Sequence, residues 1–292
     1  MAKLAPTPPP PRLRFRRSVP LAVTDHEVRI SRYFIDYADS GKAVHVYMAR
    51  RLDKSLSALL SLFRLPCLYL IPSPGQEGTA IRAALLRHSA IWRVTGLATP
   101  VLWLPREMGQ YSTGASKQTL RRKVRQAQRL GISWAEVNDP EERRELLKRA
   151  NECERTHPDV TYRNHSPSNS DLLSYRLWLV AHAADGRPLM LSVTPVDGDL
   201  ALIRYFRTLG VGEEQTNARY LMTEVLVERL VSLGVRYLID GSSPFWLPNG
   251  LRHFQQMLGF RLVRIRIGRP SLSRPNGIVT NDSGISERIS SS

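Results

Sequence analysis

The segment Ala218–Asp240, "ARYLMTEVLVERLVSLGVRYLID", indicates most directly how this chain folds. Apolar residues recur at helical spacing from Leu221 to Leu233, and Gly234 supplies the glycine that often follows the last turn of a helix. The run "VRYLID" after this glycine predicts a buried strand. A long helix followed at once by a strand is typical of a sheet that includes parallel pairing.

Elements on either side of this segment extend the predicted sheet. The apolar runs "RLWLVAHA" (176–183), "PLMLSVTPV" (188–196) and "LALIRYFRTL" (200–209) are separated by "DGR" and "DGD", which predicts an antiparallel meander. A short helix in "GLRHFQQMLG" and a strand in "FRLVRIRI" follow Asp240. We therefore predict an α/β (α+β) fold, with a mixed sheet covered by helices on both faces.

The sequence before residue 106 predicts a smaller α/β unit. Alternating apolar residues in "EVRISRYFIDYA" (27–38) and "KAVHVYMARR" (42–51) predict two strands around the turn "DSG". A helix in "SLSALLSLF", a strand in "CLYLIPS", a helix in "GTAIRAALLRHS" and strands in "IWRVTGLATPVLWLP" follow. The chain is long enough for this unit and a second one to have cores of their own.

Between the two units lies Ser116–Gly131, "SKQTLRRKVRQAQRLG", which has six cationic side chains and no acidic one. Leu120, Val124 and Ala127 share one face of the predicted helix, so the cations lie on the remaining faces. The whole chain has a net charge of +16 and a pI of about 10.5, which favours polyanionic partners such as nucleic acid, anionic lipid headgroups or phosphorylated substrates. A solvated face paired with acidic side chains elsewhere is the alternative.

These features predict five parts along the chain. They are a Pro- and Arg-rich disordered arm at 1–22, an N-terminal α/β half at 23–110, the basic connecting helix at 111–137, the main domain at 138–267 and a flexible tail at 268–292.

The cysteines and the lengths of the apolar runs predict the cellular compartment. Cys67 and Cys153 lie in unrelated contexts, without the spacing of a disulfide framework or a structural zinc site. The first residues lack the apolar core of a signal peptide, and no run approaches the roughly 18 apolar residues of a membrane span. We therefore expect a cytoplasmic monomer with no transmembrane segment, no metal and no bound cofactor, and peripheral contact with an anionic membrane is compatible with its charge.

The order of meander, helix, strand, short helix and final strand resembles the GNAT acyltransferase fold, and the second half resembles its Fem-type and related acetyltransferase-like branch. The basic-helix pattern of that branch is matched by Arg121, Arg125, Ala127 and Gly131. "YLIDGSS" and "LRHFQQMLGF" match two further pieces, and the resemblance extends over about Thr99–Ile267. It implies that the N-terminal half is a shortened, degenerate GNAT-like unit. Fem-type enzymes transfer an aminoacyl group from charged tRNA to an amine, whereas sister groups use acyl-CoA.

The resemblance also implies a phosphate-binding loop at the start of the central helix, where backbone N–H groups and the helix dipole favour an anion. "RTLGVG" (Arg207–Gly212) has the glycines, but "EEQTNA" separates it from the predicted helix and brings two carboxylates that would repel a phosphate. A working loop and a turn with unrelated glycines both stay open. The residues expected to bind the donor are Arg121, Arg125, Arg129, Arg207, Asn217, Arg219 and Arg252.

Candidate catalytic residues follow the predicted parallel strand. Asp240 ends that strand, where a carboxylate can orient or deprotonate an attacking amine, although it can also simply cap the turn "DGSS". His253 is a candidate base or a surface histidine. Gln255 stands where the resembled family has a lysine, so an amide replaces the charge expected to stabilise the carbonyl oxygen. The candidates for an acceptor pocket, with core packing as the alternative, are Tyr205, Tyr220 and Trp246.

Two functions are consistent with these residues. The first is an acyltransferase that moves an acyl or aminoacyl group from aminoacyl-tRNA or acyl-CoA to an amine by direct attack. The second is a degenerate, non-enzymatic GNAT-like module that binds RNA or an anionic surface. Gln255 and the interrupted glycine loop favour the second, whereas Asp240 at its strand end favours the first.

Overall fold

The computed structural model describes residues 14–15, 23–87, 98–241 and 249–268. The elements before residue 105 are β1 (Arg14–Phe15), α1 (Asp25–Asp39), α2 (Val44–Arg50), α3 (Leu52–Arg64), β2 (Cys67–Leu70), α4 (Gln76–Arg87) and β3 (Thr99–Trp103). The next elements are α5 (Gln118–Arg129), β4 (Ser133–Glu136), α6 (Pro140–Arg155), β5 (Leu177–His182), β6 (Pro188–Thr194), β7 (Val196–Asp197), β8 (Leu200–Ile203) and β9 (Tyr205–Thr208). The last elements are α7 (Glu213–Ser232), β10 (Tyr237–Asp240), α8 (Asn249–Leu258) and β11 (Arg261–Ile267).

The described strands form two sheets that meet at Arg204. One sheet has the order β1-β2-β11-β3-β10-β8-β7, and the other has the order β4-β5-β6-β9. Only Arg204 separates β8, which pairs in parallel with β10, from β9, which pairs antiparallel with β6. The backbone therefore passes from one sheet to the other at this residue, and β9 diverges from β10.

Helices cover both faces of the sheets. In the second sheet, α7 packs on the face that contains Leu179 and Met190, whereas α6 packs on the face that contains Trp178 and Val180. In the first sheet, α4 packs against β8 and β11. These layers confirm the predicted mixed sheet with helices on both faces.

The first two predicted strands are wrong, because residues 25–39 and 44–50 form α1 and α2. Thr24 accepts a hydrogen bond from the backbone of Glu27, and the Glu27 carboxylate accepts one from the backbone of Thr24, which is a capping box. Ile30 and Phe34, one helical turn apart, are both buried. The helix signal was therefore present in Thr24-x-x-Glu27, which the alternating pattern obscured.

The N-terminal strands do not form a sheet of their own. β3 lies between β10 and β11, and β2 pairs in parallel with β11. The sheet thus joins strands from both sides of the boundary predicted at residue 110. The division into five parts stays a prediction, and its arm and tail lie mostly outside the described residues.

The basic segment forms α5 as expected. Leu120, Val124 and Ala127 are buried and pack in one core with residues of α7. The predicted packing face is therefore confirmed.

Candidate active site

A cavity of about 470 Å³ lies where β9 diverges from β10. Its walls come from β8, β9, β10, α7 and α8, so it forms where the sheet opens. Ligands of open α/β sheets commonly bind at such a position, outside the carboxyl end of a strand.

The mouth of the cavity is formed by Gly210–Gly212, which we call the glycine loop. α7 begins at Glu213 with Gly212 as its N-cap, so the predicted gap of six residues between loop and helix was wrong. Gly210 and Gly212 have φ values of 108° and 149°, conformations that favour glycine. We placed the start of this helix too far along the chain because "EEQTNA" is polar. Polar residues are, however, common in the first turn of a helix.

The two carboxylates at the start of α7 are held by partners away from the loop. Glu213 accepts a hydrogen bond of 2.6 Å from Nε2 of Gln126, and Glu214 accepts one of 2.7 Å from Arg187. Gln126 comes from α5, and Arg187 from the turn between β5 and β6. The Arg187 cation compensates the charge of Glu214, so the expected repulsion of a phosphate comes mainly from Glu213, at the N-terminus of a 20-residue helix.

Arg219 lies about one and a half turns after the start of α7, and its cationic side chain lines the cavity. Its guanidinium lies 5.9 Å from the ring centroid of Phe254, and within the described residues no carboxylate forms an ion pair with it. Burial lowers the pKa of Arg219, because the charged form loses water. An anionic ligand in the cavity would replace the missing solvation.

Asp240 and Gln255 form a hydrogen-bonded pair on another wall of the cavity. Nε2 of Gln255 donates to Oδ2 of Asp240 at 2.5 Å. Both residues line the cavity, and Gln255 is buried. The Gln255 amide therefore holds the carboxylate with one of its two N–H donors.

The inner end of the cavity is apolar. It is lined by Leu102, Leu226, Leu238, Leu258 and Phe260. A polar, cationic mouth above an apolar end fits a ligand with a phosphate at one end and an acyl or aminoacyl group at the other.

Comparisons with known proteins identify neighbours of the fold. No family model and no curated protein match the chain. Among solved structures, it is similar to L-PGS from Bacillus licheniformis, at 12% identity over 67% of this chain and 76% of that one, with a TM-score of 0.45. It is also similar to the C-terminal domain (DUF2156) of a putative lysylphosphatidylglycerol synthetase from Agrobacterium fabrum, at 15% identity over 68% and 75%, with a TM-score of 0.44. A third neighbour is a conserved protein of unknown function from Bacteroides thetaiotaomicron, at 12% identity over 66% and 75%, with a TM-score of 0.41.

The resemblance to the Fem-type branch was wrong. The solved structures that the chain is similar to are L-PGS, the domain of a putative lysylphosphatidylglycerol synthetase and a protein of unknown function, and none of these three is Fem-type. The motifs behind that resemblance are short, and the fold they share is common to several branches. At these identities the likeness concerns the fold alone.

The other residues predicted at the donor site are placed differently. Arg207 lies at the cavity wall, with Nη1 3.7 Å from Oε2 of Glu154. Asn217 is fully buried in α7, outside the cavity lining. Arg252 is buried in α8, where burial lowers its pKa and the nearby Asp39 carboxylate raises it. The structure therefore groups Arg207 and Arg219 at the cavity and leaves Asn217 and Arg252 outside it.

The predicted acceptor and base residues are dispersed. Tyr205 lines the cavity, but its ring also packs in the core with residues of α6, and burial followed by the Glu154 charge raises its pKa. Tyr220 packs edge-to-face on Phe254 with ring centroids 5.4 Å apart, and His253 is exposed. Neither Tyr220 nor His253 lines the cavity. Trp246 lies outside the described residues.

The cations of α5 fall into two groups. Nη1 of Arg121 donates to the carbonyls of Ser112 and Gly114 at 2.6 and 2.7 Å, so this arginine closes the loop before the helix. The cations exposed to solvent, with no hydrogen bond or ion pair to the described residues, are Arg122, Arg125 and Arg129.

Two residues near the cavity had no signal in the sequence. Gln215 is buried at the glycine loop, where a Cβ on Gly212 would meet its Oε1 at 2.7 Å. Lys117 donates from Nζ to the carbonyl of Leu258 at 2.5 Å and lies 4.2 Å from the ring centroid of Tyr111. Burial lowers the pKa of Lys117 to about 8. Only the three-dimensional packing of α5 and α8 reveals that Lys117 reaches this wall.

Within the described residues, no three His, Cys, Asp or Glu side chains lie close enough to hold a metal ion. None of the helices described is both long and apolar enough to cross a membrane.

Proposed function

We propose that this chain is a transferase that moves an acyl or aminoacyl group from a phosphate-bearing donor to a nucleophile in the cavity. The observation that supports it most is the position of Arg219. This cation has no carboxylate partner among the described residues, and it lies between the N-terminus of α7 and the apolar end of the cavity.

In the proposed complex, backbone N–H groups of the glycine loop and the guanidinium of Arg219 bind the donor's phosphate. The acyl group then extends toward Asp240. The acceptor amine attacks the donor carbonyl, a C–N bond forms, and the C–O or C–S bond to the donor breaks. Asp240 accepts the amine proton, and the leaving oxygen or sulfur is protonated as it departs.

Gln255 acts on this reaction by holding the Asp240 carboxylate through its 2.5 Å hydrogen bond. Stabilisation of the carbonyl oxygen is then left to backbone N–H groups, since the Gln255 amide carries no charge. Positioning in the cavity supplies much of the remaining acceleration.

For the donor we favour aminoacyl-tRNA over acyl-CoA. Arg122, Arg125 and Arg129 are exposed on α5, and the contact between Gln126 and Glu213 joins that helix to the start of α7. A polynucleotide extends far enough to contact both the helix and the cavity, whereas CoA needs only the loop.

The deciding experiment measures transfer directly. The purified chain is incubated separately with tRNA charged with labelled amino acids and with labelled acetyl-CoA. Acceptors are an amine library and, because one neighbour is named as a putative lysylphosphatidylglycerol synthetase, phosphatidylglycerol, in which a hydroxyl would attack in place of an amine. Label transferred from tRNA and lost in Asp240→Asn supports the proposal, whereas transfer from acetyl-CoA alone contradicts the choice of donor.

The alternative of a non-enzymatic RNA-binding module is tested by the same materials. It predicts salt-dependent tRNA binding with no label transferred to any acceptor and no effect of Asp240→Asn on binding. That result would contradict the proposed catalytic role of the cavity.

A further inference from the structure

Helix α3 exposes its large apolar side chains and buries its small ones. The exposed fractions are 63% for Leu52, 58% for Leu56, 42% for Leu59, 59% for Leu60 and 52% for Phe63. These positions are spaced by one helical turn or two and form a continuous stripe, which we call the α3 stripe. Met48 of α2, 45% exposed, lies just before it in the chain. Isolated exposed leucines are common on soluble proteins, whereas a stripe of five on one helix is not.

The opposite face of α3 explains why the stripe faces outward. Ser55, Ala58, Ser61 and Leu62 are buried. Leu62 shares a core with Ile30 and Phe34 of α1, and the Ser55 hydroxyl lies 2.9 Å from the hydroxyl of Tyr33. The orientation is therefore fixed by packing against α1, and the stripe has no covering element among the described residues.

Cations outnumber acids in the segment that carries the stripe. Residues 42–64 contain Lys42, Arg50, Arg51, Lys54 and Arg64, against the single acid Asp53. Lys54 lies 3.5 Å from Asp36 of α1, and Lys42, Arg50 and Arg51 line a pocket with Asp36 and Asp39. These three cations and Arg64 are exposed. An apolar stripe with cationic flanks is complementary to a bilayer that has an apolar interior and anionic headgroups.

We propose that α2 and α3 form a docking surface for an anionic lipid bilayer. The α3 stripe enters the interface between headgroups and acyl chains, and Lys42, Arg50, Arg51 and Arg64 contact the headgroups. A helix of 13 residues is about 20 Å long and lies flat in this interface rather than crossing it.

Charge favours the bilayer over two other occupants. A second copy of the chain would bring two cationic surfaces together, and like charges in contact oppose association. The N-terminal arm, "RLRFRR" at residues 12–17, is cationic as well. An anionic bilayer is the occupant that matches both the apolar stripe and its charge.

This docking surface is separate from the proposed transfer reaction. None of its residues lines the cavity beside Asp240. Membrane binding can therefore be measured whether or not the chain transfers an acyl group, and each proposal can fail without the other.

The test uses the full chain and sedimentation with vesicles of phosphatidylcholine alone or mixed with phosphatidylglycerol. The stripe variant combines Leu56→Gln, Leu60→Gln and Phe63→Gln. The matched control combines Met108→Gln, Val160→Gln and Leu233→Gln, three apolar residues that are exposed elsewhere. We expect the wild type and the control to bind mixed vesicles with similar affinity. The affinity of the stripe variant should be at least roughly tenfold lower.

A charge variant separates headgroup attraction from insertion. Lys42→Gln, Arg50→Gln and Arg64→Gln should remove most of the preference for mixed vesicles over pure phosphatidylcholine. Circular dichroism and thermal unfolding of each variant verify that the fold is retained. Equal binding by wild type and stripe variant overturns the proposal, as does an absence of vesicle binding by the wild type. A concentration-dependent dimer that the stripe variant abolishes, without vesicle binding, identifies a second copy as the occupant and also overturns it.

Discussion

Gln126 of α5 donates a hydrogen bond of 2.6 Å to Glu213, the first residue of α7. Arg122 and Arg129 lie one turn before and after Gln126 on the same side of α5. The contact thus places the exposed cations of α5 beside the start of α7, which directly follows the glycine loop. A polyanion bound along α5 would lead to the mouth of the cavity.

Charge reversal on α5 tests this path. Arg122→Glu, Arg125→Glu and Arg129→Glu together should weaken tRNA binding and reduce the slope of log Kd against log salt by about 2 to 3, since each lost phosphate contact contributes roughly 0.7 to 0.9. The control reverses Arg144, Lys148 and Arg149 on α6, which are also exposed. Equal losses in both variants would mean that binding reflects net charge and not α5.

Replacement of Arg219 by methionine separates binding from stability. Because the guanidinium lines the cavity with no carboxylate partner among the described residues, Arg219→Met should raise the donor Kd by roughly 10- to 150-fold, the range for a lost hydrogen bond to a charged group. Thermal stability should stay equal or increase, since a desolvated cation is removed. Calorimetric titration and thermal unfolding measure the two effects. Unchanged donor binding would exclude Arg219 from the site.

Asp240→Asn preserves the shape of the side chain but removes its basicity. If Asp240 accepts the amine proton, kcat should fall by about 10² to 10⁴ with little change in donor Kd. Gln255→Leu should lower kcat less, because it releases the carboxylate without removing it. Single-turnover transfer measures both variants. A larger loss in Gln255→Leu than in Asp240→Asn would contradict these assignments.

Lys117 should make stability depend on pH. Its pKa in the folded chain is lowered to about 8, so the unfolded chain binds more protons between about pH 8 and 10 and stability rises with pH in that range. After allowance for partial exposure, the gain from pH 7 to 9.5 should be about 1 kcal/mol. Lys117→Met should lack this gain in urea unfolding at the two pH values. An identical pH dependence in wild type and variant would assign the change to other groups.

A buried ion pair joins α1 to the last strand. Arg261 Nη2 lies 2.6 Å from Oε2 of Glu27, and the two side chains are 10% and 4% exposed. Glu27→Ala should lower the free energy of unfolding by about 3 to 5 kcal/mol, because it leaves a buried cation without this partner. The double change Glu27→Met with Arg261→Met should recover most of the loss. Chemical denaturation compares the three proteins, and a double variant as unstable as Glu27→Ala would disprove the explanation.

Periodicity predicted the helices and strands that have one buried face. Helix α5 shows why, since its buried residues Leu120, Val124 and Ala127 lie at helical spacing on one face. Periodicity did not identify α1, where alternating apolar residues imitate a strand while the capping box at Thr24 fixes a helix. Local hydrogen bonds overrode the pattern there.

The candidate site was only partly predictable for a different reason. Asp240 and the glycine loop stand next to elements that sequence patterns locate, so both could be named in advance. The hydrogen bond between Gln255 and Asp240 and the reach of Lys117 to Leu258 depend on how helices pack in space. No spacing within one segment encodes such contacts.

The position of β11 determines when the first sheet can be completed during synthesis of the chain. This strand is the last one described in the chain, yet it lies between β2 and β3, which do not pair with each other. On the ribosome, the sheet therefore stays open at its centre until residues 261–267 have left the exit tunnel. Until then the edges of β2 and β3 lack their partner, and a nascent chain truncated before β11 exposes them to chaperones or to aggregation.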